Sequence, residues 1–237
     1  VIVRRAHPAP DREVSLDAAD SRDQLLEWYK AERAQWLRLN LVSSVSGSAA
    51  GSDGTSETLT SASDRRILGV IRELSDVVLV GAASVRAEGY QVPRRSRLAV
   101  LTSTGDLTGH RLDVNLVDRV TIVCPASAVA RATSSLPGAE ILVAPDTNSR
   151  IAMPALVNTL RAAGYASIVC EGGPSLASAL IEAGLVDELC LTTSPVIRDV
   201  SLPTFAREGL HERAVELRQL LIDDNSFVFA RWTIRAD

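Results

Sequence analysis

From residue 76 to residue 194 the chain alternates short apolar runs with stretches of helical periodicity. The runs at 76–81, 97–102, 119–124, 139–144, 166–171 and 187–194 read as buried strands. The segments at 126–134, 150–163 and 174–184 read as helices. A repeated strand–helix–strand order returns each strand in the same direction. The chain therefore predicts an α/β fold with a largely parallel sheet, covered by helices on both faces. In such a sheet ligands sit beyond the carboxyl ends of the strands. Gly81, Ser103, Glu171 and Pro195 all fall just past predicted strand ends.

Two of these strand ends share one build. The first is Ala166-Ser167-Ile168-Val169-Cys170-Glu171-Gly172-Gly173-Pro174-Ser175-Leu176, an apolar run that ends in an acid and two glycines before a helix start. The glycines leave bare backbone for a ligand to approach, and Pro174 suits the first helical position, where its missing N–H costs nothing. The unpaired N–H groups of that helix start suit a phosphate. The second is Asp76-Val77-Val78-Leu79-Val80-Gly81-Ala82-Ala83-Ser84-Val85-Arg86-Ala87-Glu88, where Ser84 and Arg86 offer donors to phosphate oxygens. Gly81-Ala82-Ala83 lacks the three spaced glycines of the dinucleotide fingerprint. An ordinary strand-to-helix turn gives either segment alone; the pair favours a nucleotide site.

The flanks are less regular. Residues 1–34 read as an N-terminal extension, with a Pro- and charge-rich start and a helix over 21–33. A strand is expected at 36–44, then a Ser/Gly-rich loop over 45–56, then a helix capped by Ser61 or Ser63 that runs to about residue 75. At the C-terminus, 214–221 and 227–234 flank a turn and read as an antiparallel ribbon added to the sheet.

Composition narrows the function classes. With 237 residues and 46% apolar content, the chain suffices for one core. A net charge of -4 with dispersed signs argues against a nucleic-acid partner, and no apolar run approaches a membrane span. Cys124, Cys170 and Cys190 each lie in a strand-like run and read as buried free thiols, which with the absent signal core points to the cytoplasm. His7, His110 and His211 are far apart, so no metal site is expected.

The order of motifs resembles the C-terminal reductase domain family of riboflavin biosynthesis, in its stand-alone pyrimidine-reductase branch. The marks are Asn40-Leu41-Val42-Ser43-Ser44-Val45-Ser46-Gly47, Val80-Gly81-Ala82-Ala83-Ser84-Val85-Arg86-Ala87-Glu88, Glu171-Gly172-Gly173-Pro174 and Gly184-Leu185-Val186-Asp187-Glu188-Leu189, with Glu88-Gly89-Tyr90. The resemblance runs from about Trp36 to the C-terminus. It implies a three-layer α/β/α dihydrofolate-reductase-like fold over 35–237, with antiparallel C-terminal strands. It also implies a homodimer that reduces a ribosylaminopyrimidine phosphate to its ribityl form with NADPH.

By the same resemblance, Gly81, Ala82, Ser84, Val85, Ser103, Glu171, Gly172, Gly173, Pro174 and Ser175 lie along the cofactor. Ser103 falls to the adenosine 2′-phosphate. Asn40, Ser44, Ser46, Thr60, Ser61 and Arg72 fall to the substrate, while Glu171 and, more weakly, Glu88 are the acidic candidates for catalysis. The chain departs from the family at Ser44-Val45-Ser46-Gly47-Ser48, where the usual Asp is Ser46 and a frequent cation is Ser48. Arg198-Asp199-Val200 replaces a Gly-rich turn. These departures keep two alternatives open: a dihydrofolate-type reductase, or a non-catalytic nucleotide-binding paralogue. Against the former, no acid follows the 36–44 strand at the usual pyrimidine-binding position.

Overall fold

The computed structural model describes residues 1–206 and 209–235. Its strands are β1 (Ile2–His7), β2 (Arg12–Ser15), β3 (Trp36–Ser44), β4 (Val77–Gly81), β5 (Arg97–Leu101), β6 (Val120–Cys124), β7 (Glu140–Val143), β8 (Asp146–Thr147), β9 (Arg150–Ile151), β10 (Ser167–Cys170), β11 (Glu188–Ser194), β12 (Val215–Asp223) and β13 (Val228–Ile234). Its α-helices are α1 (Ser21–Tyr29), α2 (Ala62–Glu73), α3 (Ala82–Ala87), α4 (Val129–Ser135), α5 (Met153–Ala162) and α6 (Pro174–Glu182).

One sheet of 11 strands runs in the order β2-β1-β12-β13-β11-β3-β10-β4-β5-β6-β7. From β11 through β7 every neighbouring pair is parallel, while β13, β12, β1 and β2 add on antiparallel. Successive side chains of each strand point to opposite faces, so the sheet carries two cores. One holds Leu25 and Trp28 of α1, Ile67 and Ile71 of α2, Val85 of α3 and Ala132 of α4 against Val78, Val80, Val100 and Val169. The other holds Leu156 and Leu160 of α5 and Leu176 and Leu180 of α6 against Leu37, Leu39, Leu79 and Ile168. The result is the expected three-layer α/β/α architecture. Among the described residues no helix is long and apolar enough to cross a membrane, and the three cysteines are free and buried.

The N-terminal segment differs from its expected form. Its first 15 residues form the β1–β2 ribbon, which pairs with β12 and extends the sheet. Each strand of the ribbon buries one residue fully, Val3 or Val14, so no apolar run marks it in the sequence. Helix α1 stops at Tyr29, four residues short of the expected end, with Lys30 extended. Its last carbonyls are taken by arginines of the sheet: Arg38 Nη2 donates to Tyr29 O at 2.7 Å, and Arg231 donates to Trp28 O. Both guanidiniums also bond Glu188, which is 1% exposed. That cluster ties α1 to β3, β11 and β13.

Helix α2 is capped by Ser61, not Ser63, because the Ser61 hydroxyl accepts from Asp64 N at 3.1 Å. Helix α5 begins at Met153, after the small β8–β9 hairpin that occupies the first residues of the expected 150–163 helix. The segment after Gly81, left open between turn and helix, folds as α3.

Candidate functional site

The carboxyl ends of β3, β4, β5, β10 and β11 lie along one edge of the sheet. There the two glycine-terminated segments are direct neighbours. Strands β4 and β10 pair in parallel, Glu171 N donates to Leu79 O at 3.0 Å, and Gly81 N donates to Gly172 O at 3.2 Å. Gly172 has φ of +99°, a conformation that side-chain-bearing residues rarely hold, and its peptide to Gly173 is cis. A Cβ at Gly173 would stand 3.3 Å from Ser84 Oγ, so Ser84 lies directly against the glycine pair. A Cβ on Gly81 would meet nothing within 4 Å. The edge therefore presents bare backbone to open space at Gly81, while Gly172 and Gly173 lie against Leu41 and Ser84. Helix α6 opens beside it at Pro174, with Gly173 as a cap that offers no side-chain hydrogen bond, so the first-turn N–H groups stay available.

On the α2 side of the edge sits a polar group. Arg72 of α2 forks onto Glu171, with Nε to Oε1 at 2.7 Å and Nη2 to Oε2 at 2.6 Å. Tyr90 donates to Glu171 Oε2, and Arg72 Nη2 donates to Tyr90 Oη at 3.1 Å while its guanidinium covers the Tyr90 ring. Burial, then the Glu171 charge, pushes the Tyr90 hydroxyl well above its ordinary value, so it stays a donor. Burial acts to lower Arg72, but the Glu171 carboxylate outweighs it and raises the guanidinium further.

Asp64 enters the same region from the first turn of α2 and is 6% exposed. Burial lifts its carboxyl to about 6; the Thr192 hydroxyl and Arg65 pull against that shift, and the Glu171 charge adds to it. Thr192 of β11 is itself buried. Asn40 shares a face of β3 with Arg38, whose contacts are with α1, so Asn40 also points to the helix side that holds α2. The sequence reading missed Asp64. It stands three residues after the cap Ser61, where an acid reads as a capping partner. No acid follows the 36–44 strand, as the sequence shows; the buried acid of this region, Asp64, comes from helix α2 instead.

A description of the RibD C-terminal domain matches residues 35–220. The chain belongs to this family. Solved structures agree on the fold of this RibD C-terminal domain. A pyrimidine reductase-like protein of Corynebacterium diphtheriae is 25% identical, with a TM-score of 0.73 over 86% of this chain and 93% of that one. A Thermotoga maritima diaminohydroxyphosphoribosylaminopyrimidine deaminase/5-amino-6-(5-phosphoribosylamino)uracil reductase is 18% identical, with a TM-score of 0.69 over 91% of this chain and 62% of its own length. The riboflavin biosynthesis reductase of Saccharomyces cerevisiae is 13% identical, with a TM-score of 0.67 over 90% of this chain and 98% of that one. No curated relative matches the chain.

The remaining candidates of this RibD C-terminal domain divide by place. Ala82 and Val85 are buried in α3 behind Gly81. Ser175 follows Pro174 in the first turn of α6. Ser103 is exposed just past β5. Beside it the loop is held by arginines remote in sequence, since Arg86 Nη1 donates to Asp106 O at 2.7 Å and Arg131 Nη2 to Asp106 Oδ2 at 2.6 Å. Thr60 donates to Glu57 O at 2.9 Å, just before the cap Ser61. Glu88 is exposed at the end of α3 and accepts from Ser56 Oγ at 2.6 Å.

Ser44 and Ser46 hold their own loop. Ser46 Oγ donates to Arg198 O at 2.6 Å and lies 3.0 Å from Ser44 Oγ, while Ser44 Oγ accepts from Ser48 N at 3.0 Å. Ser48 is fully buried and donates to Ala50 O at 2.9 Å. The residues that depart from the family motif therefore join the 45–50 loop to the segment around Arg198. A charge at position 46 would face the Arg198 carbonyl that the Ser46 hydroxyl now bonds.

Proposed function

We propose that this chain is an NADPH-dependent reductase of a ribosylaminopyrimidine phosphate. The observation that carries the reading is the pairing of Gly81 with Gly172 at one strand edge, beside a bonded Arg72–Glu171 pair and a buried Asp64. The bare backbone at Gly81, Gly172 and Gly173 fits a flat dinucleotide, and the uncapped start of α6 fits its phosphates. Ser84 would lie against it, and Ser103, with Arg86 and Arg131 nearby, would meet an adenosine 2′-phosphate. When bound, the cofactor supplies a hydride for the sugar C1 of a ring-opened imine.

The chain then has to hold the substrate still and manage one proton. Asp64 holds that proton on a carboxyl raised to about 6, and gives it up as the substrate nitrogen becomes an amine. Glu171 accepts from a substrate N–H or O–H, and Arg72 and Tyr90 fix its orientation. Arg72 is thus a positioning residue, because its fork is filled by Glu171 rather than left for a phosphate. Asn40 and the Thr60–Ser61 turn complete the substrate side of this reading.

A second reading, reduction of a dihydrofolate-type pterin, is favoured by Asp64 alone. The test is NADPH oxidation followed at the nicotinamide absorbance, with ribosylaminopyrimidine phosphate and dihydrofolate in parallel. Turnover of the pyrimidine with formation of its ribityl form supports the first reading. Turnover of dihydrofolate alone selects the second, and cofactor binding with neither turnover contradicts both.

A further inference from the structure

Glu88 is an acid that the proposed reaction leaves without a part. It closes α3 and accepts from Ser56 Oγ at 2.6 Å, two residues before Tyr90, which donates to Glu171. Ser56 belongs to the 52–58 loop between β3 and α2, whereas α3 follows β4. In the sheet β10 lies between β3 and β4, and Glu171 and Gly172 follow its carboxyl end. The Ser56–Glu88 bond therefore joins the connections on either side of the strand that delivers Glu171.

The loop is held mainly by itself. Asp53 accepts from Thr55 N at 3.0 Å, Thr55 Oγ1 at 2.7 Å and Thr58 Oγ1 at 3.1 Å. Ser52 N donates to Thr58 Oγ1 at 2.9 Å, and Gly51 N donates to Thr55 O at 2.6 Å. A Cβ on Gly51 would overlap Thr58 Oγ1, so the loop closes on itself only with glycine there. Ala50 and Leu59 are both buried and anchor its two ends in the interior. A loop packed by its own polar groups behaves as a compact unit that swings about its anchors.

Among the described residues, the loop makes two side-chain bonds to the elements around it. Glu57 pairs with Arg65, and Ser56 donates to Glu88. Arg65 stands in α2, the helix into which the loop itself runs, so that pair adds no new connection. Only the Ser56–Glu88 bond reaches across to α3. A hydroxyl on a carboxylate in reach of solvent is a charge-assisted bond, strong enough to hold a loop and open to release by water.

We propose that Ser56 and Glu88 form the latch of a flap, residues 52–58, that closes across the carboxyl end of β10 and opens when this bond is released. Glu88 then acts as an acceptor and not as an acid. The two roles separate in Glu88→Gln, because an amide oxygen still accepts from the Ser56 hydroxyl but an amide has no proton to transfer as a carboxyl does. The latch is a property of the loop, so it is tested without turnover and apart from the reductase reading.

The three native cysteines are buried, so spin labels go selectively to Ser52→Cys on the loop and Ala83→Cys on α3, both exposed positions. Pulsed dipolar spectroscopy of the doubly labelled full chain is expected to give one narrow distance distribution. Adding Ser56→Ala or Glu88→Ala is expected to raise the population at longer distance roughly fivefold or more, with unchanged melting temperature. Both changes together should raise it no further, and Glu88→Gln should keep the narrow distribution. A broad distribution without these changes, no opening in either alanine variant, a larger effect of the two together, or a Glu88→Gln loop as open as that of Glu88→Ala overturns the inference.

Discussion

Arg72 and Glu171, 99 residues apart, meet through both nitrogens of one guanidinium fork and both oxygens of one carboxylate. Glu171 is 7% exposed and Arg72 23%, so solvent screens the pair only in part. Removing the guanidinium leaves a nearly buried charge with Tyr90 as its remaining side-chain donor among the described residues. Arg72→Ala is therefore expected to cost about 3 kcal/mol in urea unfolding, the lower end for broken buried pairs. Arg72→Lys recovers the charge without the fork and is expected to fall between. If Arg72→Ala unfolds at the wild-type midpoint, the pair does not organise the site.

Asp64 gives a pH signature of its own. Its folded value of about 6 lies above the ordinary 3.8, so the native state holds this proton more tightly than the unfolded chain. Its stabilising contribution is full below pH 3.8 and is lost as pH rises through about 6. Asp64→Asn cannot ionise, so it is expected to be more stable than wild type above pH 7, by roughly 3 kcal/mol for a two-unit shift. The gap should close toward pH 4. A constant difference from pH 4 to pH 8 would refute this assignment.

The same residue predicts a kinetic profile. If Asp64 supplies the proton, kcat/KM falls as pH passes about 6. Asp64→Asn is expected to lose roughly 100-fold in kcat and to flatten that limb. A variant that retains both rate and limb would place the proton source elsewhere.

Glu188 works in the opposite sense. Burial alone would raise its carboxyl, but Arg38 and Arg231 outweigh burial and hold it below the usual glutamate value. Its contribution is present above the unfolded glutamate value and is lost as pH falls through the lower folded one. Glu188→Gln leaves Arg38, 3% exposed, without its counter-charge and is expected to cost about 3 kcal/mol at pH 7. That cost should shrink in acid. Unfolding curves at pH 7 and pH 3 decide it, and an equal cost at both would show that charge is not the cause.

Much of this was legible in the sequence because parallel strands are buried on both faces and leave continuous apolar runs, as in Val77–Gly81 and Val120–Cys124. Gly81, Glu171 and Gly172 were marked by their place at the ends of such runs. The β1–β2 ribbon was not, because its alternating polar residues bury little. Asp64 was hidden by a second local role, since its backbone N–H serves the Ser61 cap while its carboxyl looks across to β11. Ser44 and Ser46 were marked by the family motif, but their hydroxyls are occupied within the loop and with Arg198. Pairings between distant segments, such as Arg72 with Glu171, carry no local signal at all.

The paired glycines make the central claim testable by one substitution. Gly81 has φ of -82° and ψ of 147°, a conformation open to any residue, and a Cβ there meets no atom within 4 Å. Gly81→Val should therefore fold with a melting temperature near that of wild type, while its branched side chain fills the edge proposed for the dinucleotide. The direct measurement is NADPH affinity of wild type and Gly81→Val, read by titration of nicotinamide fluorescence. The account predicts binding by wild type and a loss of at least tenfold in the folded variant. Equal affinity in both, or no binding by wild type, would contradict it.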